Sequence, residues 1–221
     1  MFIPYRDENP TRNLPVITWI LIIANAVVFY FQVFGQLGFE QSIVEYGLIP
    51  CEAIHGRNLP DSSRVHPYIG FFSYMFMHGN FFHIFFTMLY LCIFGNTVAD
   101  KMTRGGFLVF YLLIGFLSGL LFTLAEPNLC QPLVGASGAV SGILGAYLFL
   151  FPFARIRVWM LFFILRLPAI VFLPIWFLLQ VFNMFSRAAG DAGGVAWVAH
   201  VAGFIAGGLF FALFKKKERG R

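Results

Sequence analysis

Long runs of apolar residues constrain this sequence more than any other feature. Hydrophobic residues make up 59% of its 221 residues and charged residues only 11%, whereas soluble domains carry about 25% charged residues. A soluble fold of this length could not bury so much apolar surface, but a lipid bilayer accepts it as solvent. We therefore interpret the chain as an integral, multi-pass membrane protein whose first partner is the lipid bilayer.

Six of the apolar runs are long enough to be considered as transmembrane helices. They lie near Pro15–Phe34, Ile69–Phe94, Gly106–Leu124, Gly138–Phe151, Pro168–Phe185 and Val195–Phe214. No repeat or low-complexity segment separates them. We predict an all-α fold in which residues 1–221 form one six-span membrane domain. We expect no cleaved signal peptide, because charged residues precede a full-length first run without a small-residue cleavage site.

Basic residues are distributed unevenly between the two sides of these predicted spans. Of the 15 Lys and Arg residues, 12 lie on the side of both termini, among them the run Lys215–Lys217. The positive-inside rule places that side in the cytoplasm, and we expect a bacterial plasma (inner) membrane. Arg57, Arg64 and Arg187 would lie outside. Because this bias accounts for the pI near 9.3, we predict no nucleic-acid partner.

Two of the three cysteines fall on the predicted outer side. Cys51 lies in the first outer loop and Cys130 in the loop before the fourth run, whereas Cys92 lies within the second run. An oxidising compartment would allow a disulfide between Cys51 and Cys130. Two unpaired thiols fit the sequence equally well, so both alternatives stay open.

The fourth run is unusually short. About 14 helical residues separate the segment Gly135–Gly138 from Pro152, which gives roughly 21 Å of helix against a hydrocarbon core of about 30 Å. If this helix ends at the cytoplasmic surface, its start at Ser137 lies roughly 9 Å below the outer surface. The preceding loop must then dip into the membrane, where irregular backbone needs protein or a water-filled cavity around it.

Polar residues within membrane spans are costly and suggest function. They are Ser137 and Ser141 in the fourth run, His200 in the sixth, and His78, Asn80, His83 and Thr87 in the second. At a helix start the backbone N–H groups are unpaired and the helix dipole favours negative charge, which supplies half of an oxyanion hole at Ser137. Gly135 and Gly138 would let a substrate approach closely. The structural alternative for Ser137 is a helix N-cap.

Small residues predict that the fourth and sixth spans pack closely. One small-residue face carries Gly203 and Gly207, and the facing one carries Gly138, Ser141, Gly142 and Gly145. Such faces let helices approach in lipid, so the Ser137 hydroxyl could reach His200 as its base. No Asp or Glu lies within a span, and we therefore predict a Ser–His dyad rather than a triad. A histidine that only bridges two helices by a hydrogen bond is the alternative.

Three motifs occur in order along the predicted spans. They are Met77-His78-Gly79-Asn80-Phe81-Phe82-His83, Gly135-Ala136-Ser137-Gly138, and Ala199-His200-x-x-Gly203-x-x-x-Gly207. With these motifs the chain resembles the rhomboid family of intramembrane serine proteases over nearly its whole length. The resemblance implies cleavage of single-pass transmembrane proteins without a cofactor or metal. It also implies Ser137 as nucleophile, His200 as base and His83 as a donor to the oxyanion.

The chain departs from the family pattern at three places. Thr87 stands where the family usually has Asn; it shares the helix face of His83, about 40° away, and its hydroxyl is a shorter donor. The Trp-Arg pair expected in the first outer loop near Ile69-Gly70 is absent. Ser141 replaces a tyrosine that stacks on the base in some members.

Three other functions were compared with a protease. A weak or inactive rhomboid relative that binds membrane clients is favoured by Thr87. A metalloprotein using His78, His83 and His200 is disfavoured because the first two are about 140° apart around a helix and no H-E-x-x-H motif occurs. A transporter would be expected to carry intramembrane acidic residues and a repeat. For the fifth run, a lateral gate and an ordinary lipid-facing helix remain equal alternatives.

Overall fold

The computed structural model describes residues 2–9, 11, 13–56, 67–160, 163–186 and 197–215. Several residues used in the sequence predictions lie outside this part of the chain. They are Arg12, the three basic residues Arg57, Arg64 and Arg187, the start of the sixth run at Val195, and the basic tail beyond Lys215.

Most of the described chain is helical. The helices are α1 (Val16–Phe34), α2 (Phe39–Tyr46), α3 (Pro50–His55), α4 (Gly70–Ser73), α5 (Phe81–Tyr90), α6 (Asn96–Asp100), α7 (Arg104–Ala125), α8 (Ser137–Leu150), α9 (Ala169–Ser186) and α10 (Trp197–Phe214). Short 3-10 helices, Pro67–Ile69 and Tyr74–Phe76, flank α4, and a π-helical turn, Leu91–Gly95, joins α5 to α6.

Five of these helices are long and apolar enough to cross a membrane. They are α1, the continuous helix Phe81–Asp100 that contains α5 and α6, α7, α9 and α10. The apolar helix α8 has 14 residues and is shorter. The predicted class, a polytopic helical membrane protein, is confirmed.

The second apolar run differs from its predicted bounds. Instead of one helix over Ile69–Phe94, the backbone becomes extended at Met77 and again at Asn80, and the helix that starts at Phe81 continues to Asp100. The break has a local cause, because the Asn80 side chain accepts a 2.8 Å hydrogen bond from the His83 N–H and so caps α5. An N-cap residue lies outside the helical conformation.

A three-stranded antiparallel sheet, which the all-α prediction lacks, covers one end of the bundle. Its order is β1 (Phe2–Asp7), β2 (Arg155–Met160) and β3 (Phe163–Pro168). In β2 the side chains of Ile156 and Val158 are fully buried and alternate with the more accessible Arg155, Arg157 and Trp159, which is the alternation of a half-buried strand. The arginines of β2 are charged, as loop residues often are, so composition alone does not indicate this strand.

Hydrogen bonds fasten this sheet end to the helices. The Asp7 carboxylate accepts from the Tyr147 hydroxyl at 2.7 Å and from the Thr97 hydroxyl at 2.6 Å, which joins β1 to α8 and α6. Within the sheet, Arg157 of the central strand donates to Glu8, which follows β1, and this hydrogen bond lowers the pKa of the Glu8 carboxyl.

At the opposite end, the first loop holds the segment that precedes α8. Leu48 and Leu133 exchange two backbone hydrogen bonds of 3.0 and 2.7 Å. Cys51 and Cys130 are joined in a disulfide with their Cα atoms 5.2 Å apart. The structure therefore contains the disulfide, the first of the two alternatives left open by the sequence, and we name this the disulfide end.

Helix α8 lies at the centre of the protein. Every residue from Gly138 to Tyr147 is buried. Its contact with α10 is so close that a Cβ atom added to Gly203 would lie 2.1 Å from the Gly138 carbonyl oxygen, and one on Gly207 would lie 2.0 Å from the Gly142 carbonyl oxygen. Only glycine fits at these points, and the two small-residue faces bring α8 and α10 into backbone contact.

Candidate active site

Ser137 is the first residue of α8, and the turn before it needs glycine. Gly135 has a φ of 117°, which side-chain-bearing residues rarely adopt. Its N–H donates to the Tyr74 carbonyl at 2.8 Å. The N-cap position belongs to Ala136, which makes no side-chain cap. The structure therefore does not use Ser137 as an N-cap, and its hydroxyl is available to another partner.

That partner is His200 on α10. The His200 Nε2 atom and the Ser137 Oγ atom are 2.8 Å apart, a hydrogen-bond distance. The backbone contact between Gly203 and Gly138, about one helical turn beyond His200, sets the spacing of α8 and α10. Ser118 of α7 adds a further link, because its hydroxyl donates to the Ala199 carbonyl at 2.7 Å. A serine hydroxyl bonded to an imidazole nitrogen can be activated as a nucleophile.

The second ring nitrogen of His200 contacts a residue that the sequence reasoning missed. Gln180 of α9 is buried, and its Oε1 atom lies 3.0 Å from His200 Nδ1. Trp176 and Trp197 flank the same ring, with centroids 6.3 and 6.0 Å away. The rule that polar residues in spans suggest function would have included Gln180, since it lies inside the fifth apolar run.

His83 faces the same space as Ser137. A Cβ atom added to Gly135 would lie 2.6 Å from His83 Nε2 and 3.5 Å from Ser137 Oγ, so both atoms border the Gly135 position. The Gly79 N–H donates to His83 Nδ1 at 3.4 Å. With Nδ1 accepting, the neutral ring carries its proton on Nε2. This arrangement gives His83 the N–H that a donor to an oxyanion needs.

Thr87 and Ser141 occupy different environments. The Thr87 side chain is buried and lines the cavity that Ser137 also borders. Among the described residues, none accepts a hydrogen bond from the Thr87 hydroxyl. Thr87 therefore does not donate to the His83 carbonyl four residues earlier in the helix. Ser141 does make such a bond, donating to the Ser137 carbonyl at 2.7 Å. In the described part of the chain, no hydrogen bond joins Ser141 to His200.

A cavity of about 760 Å³ leads away from Ser137 and His200. It runs between α5 and α9, where Phe86 and Leu179 belong to its walls, and reaches Ile3 of the sheet. Its lining is mainly apolar, which suits a hydrophobic segment. In the described ranges, no group of three or more His, Cys, Asp or Glu side chains could hold a metal ion.

Comparison with known proteins decides the family. A sequence model of the rhomboid domain matches residues 66–217. The chain belongs to the rhomboid family. It is also 31% identical over 154 residues to Rhomboid protein 1, mitochondrial, of Saccharomyces cerevisiae, across 66% of this chain and 42% of that protein. This rhomboid thus spans less than half the length of its yeast relative.

Family membership supports a protease-like function within the membrane, since rhomboid proteins are generally serine proteases and act on membrane proteins within a bilayer. The apolar helices of this rhomboid agree with a multi-pass integral membrane protein.

Proposed function

We propose that this rhomboid is an intramembrane serine endopeptidase that cleaves single-pass transmembrane proteins within or near their membrane segment. The observation that carries the proposal is the 2.8 Å contact between Ser137 Oγ and His200 Nε2, which lies at one end of the apolar cavity between α5 and α9. A nucleophile and base beside an apolar cavity of this size suit a membrane-embedded peptide better than a soluble one.

The proposed reaction uses four groups. Ser137 Oγ attacks the carbonyl carbon of the scissile bond while His200 Nε2 takes the hydroxyl proton. The carbonyl oxygen becomes an oxyanion, which accepts hydrogen bonds from the Ser137 N–H and the His83 Nε2–H. His200 then returns the proton to the leaving nitrogen, so that the C–N bond breaks and an acyl-enzyme remains. Water, deprotonated by His200, attacks this ester and releases the acid and Ser137.

Substrate access is proposed to run between α5 and α9. In α9 22% of the residues are buried, against 50% of the 18-residue apolar window in α7, so fewer contacts oppose its movement. Pro174 lies inside α9 and removes one backbone hydrogen bond there. We expect a bifunctional maleimide that joins Cys residues placed at Phe86 and Leu179, in a Cys92→Ser background, to block cleavage of a transmembrane substrate. Cleavage that continues after cross-linking would contradict this route.

We also propose the orientation predicted from the basic residues. The sheet end would face the cytoplasm of a bacterium, and the disulfide end would face the oxidising side of its plasma membrane, where a disulfide persists. A membrane-impermeant maleimide should label His55→Cys in intact cells and Thr11→Cys only after the cells are opened. Both positions are exposed in the structure, and the reverse labelling pattern would overturn the orientation.

A second function is supported by Thr87, which stands where the family usually has Asn: a weak or inactive rhomboid that binds membrane clients. A fluorophosphonate probe separates the two functions because it reacts only with an activated serine. We expect labelling of the wild-type protein that Ser137→Ala abolishes. A folded wild-type protein that is not labelled would favour client binding.

A further inference from the structure

We infer that Gln180 positions His200, and that the dyad is competent only while α9 is packed against α10. This inference rests on the proposed proteolytic function and concerns the same site. Gln180 lies on α9, whereas Ser137 and His200 lie on α8 and α10. The helix proposed to move for substrate access therefore carries the hydrogen-bond partner of the base.

The Gln180 amide can bind His200 in one orientation only. Its Nε2 atom lies 3.3 Å from the Trp176 carbonyl oxygen, and a carbonyl can only accept. The amide NH2 must therefore face Trp176, and Oε1 faces His200 Nδ1 at 3.0 Å. An acceptor at Nδ1 requires the proton to be there. Nε2 is then unprotonated and can accept the Ser137 proton.

None of the other side chains that contact the His200 ring can take this role. Trp176 and Trp197 flank the ring, but an indole offers a single N–H and accepts nothing. Ser141 donates to the Ser137 carbonyl, and within the described ranges no hydrogen bond joins it to His200. Among the described residues, Gln180 is thus the one acceptor placed at Nδ1. Without it the neutral imidazole is free to hold its proton on Nε2, the tautomer that cannot act as the base.

The position of Gln180 couples this tautomer to the route of access. Gln180, Trp176 and Leu179 all line the cavity between α5 and α9. A movement of α9 away from α5 and α10 draws Oε1 from His200 Nδ1 and removes Trp176 from the ring at the same time. The base is then unoriented while the membrane route is open, and it is oriented again when α9 closes on a bound segment. Opening and cleavage exclude each other in time.

The first test compares Gln180→Leu, Gln180→Glu and the control Asn183→Leu in reconstituted protein. Leu removes the acceptor at similar volume, Glu keeps an acceptor oxygen, and Asn183→Leu makes the same polar-to-apolar change elsewhere on α9. We expect Gln180→Leu to lower kcat about 10- to 100-fold with KM changed less than about twofold. Gln180→Glu should recover most of kcat, and Asn183→Leu should match the wild type.

A spectroscopic readout reports the tautomer itself. With 15N-labelled histidine, and with His200→Asn to assign the signal, the wild type should show His200 protonated at Nδ1. Gln180→Leu should show the proton redistributed toward Nε2. Unchanged kcat and an unchanged tautomer in Gln180→Leu would overturn the positioning role. If the wild type itself reacts with neither substrate nor fluorophosphonate, the proposed function fails instead.

The dependence on packed α9 is tested with the Phe86–Leu179 cross-link. Held closed, the protein should react with the small fluorophosphonate within about twofold of the uncross-linked rate, although it cleaves no transmembrane substrate. The same cross-link in Gln180→Leu should leave the low labelling rate unchanged. Loss of labelling in cross-linked wild type, or full labelling of cross-linked Gln180→Leu, would overturn the coupling.

Discussion

The contacts of α8 with α10 and of α5 with α9 lie on two sides of the same site and differ in kind. Between α8 and α10, glycines at 138, 142, 203 and 207 bring the backbones together so closely that no Cβ atom would fit at Gly203 or Gly207. Between α5 and α9 there is instead a cavity of about 760 Å³ with largely apolar walls. The first contact leaves no space between the two backbones, and the second leaves room for a bound segment.

For the proposed protease, the difference separates two requirements of an enzyme that works inside a membrane. A nucleophile and its base must be held within a fraction of an ångström, and the small-residue contact brings the proposed pair, Ser137 and His200, together. A substrate segment must also enter from lipid, which requires a wall that can move. Gln180 belongs to the movable side but contacts the base on the rigid side, so it is the residue where the two requirements meet.

The largest expected effect comes from the pair on the rigid side. Ser137→Ala and His200→Ala should each abolish cleavage of a reconstituted transmembrane substrate while the proteins stay folded, because nucleophile and base act as one unit. The double variant should be no worse than either single one. Initial rates and thermal unfolding check this, and substantial turnover by either variant would remove the dyad.

Removing the disulfide should lower the free energy of unfolding more than it lowers the catalytic activity. Cys51→Ser with Cys130→Ser releases the loop before Ser137 and should lower the free energy of unfolding by about 2–4 kcal/mol, while activity at low temperature persists through the α8–α10 contact. Cys92→Ser is the control and should change neither quantity. Mass spectrometry of non-reduced peptides should find the linked pair; free thiols at both positions would contradict it.

Gly207→Ala tests the rigid contact directly. The added methyl group would lie 2.0 Å from the Gly142 carbonyl oxygen, so α10 must move away from α8. We expect a loss of about 1–3 kcal/mol in stability together with a fall in kcat, since Ser137 and His200 separate. Gly105→Ala in α7 meets nothing within 4 Å and serves as the matched control. Equal activity and melting temperature for the two variants would show that close packing is dispensable.

Thr87→Val should have the smallest effect on kcat. Thr87 lines the cavity between α5 and α9. If the hydroxyl helps to stabilise the oxyanion, directly or through water, kcat should fall by less than the roughly 10²–10³-fold expected for His83→Ala. KM should change little, because the interaction strengthens only in the transition state. Thr87→Asn should keep or raise the rate. A Thr87→Val enzyme as fast as the wild type would mean that Thr87 only lines the cavity.

Some features could be predicted because they depend on local composition. Apolar runs predicted a helical membrane protein. In lipid, a long apolar segment must pair its own backbone N–H and C=O groups, and a helix does this within the segment. The starting residue of α8 at Ser137 followed from the glycines and Pro152 around a short run. The small residues of the fourth and sixth runs indicated which helices would meet, because only small side chains allow backbones to approach in lipid.

Other features needed the tertiary structure because they depend on residues distant in sequence. Strand β1 pairs with β2 across more than 140 residues, and no local pattern indicates that register. The break at Asn80 arose from a single side-chain cap that apolar periodicity cannot show. The partner of His200 was found only in the folded chain, since nothing about Gln180 in sequence says that its carbonyl oxygen will face a ring twenty residues away.

The sequence by itself thus determined that lipid surrounds this protein, where most of its helices lie, and the small-residue faces through which two of them approach. Those properties follow from hydrophobicity and side-chain size, which each residue carries wherever the chain folds. Only the tertiary structure decided which oxygen contacts His200, where the cavity lies and how the sheet closes one end. These depend on directions and distances between helices, because a hydrogen bond forms only when both partners arrive with the right geometry.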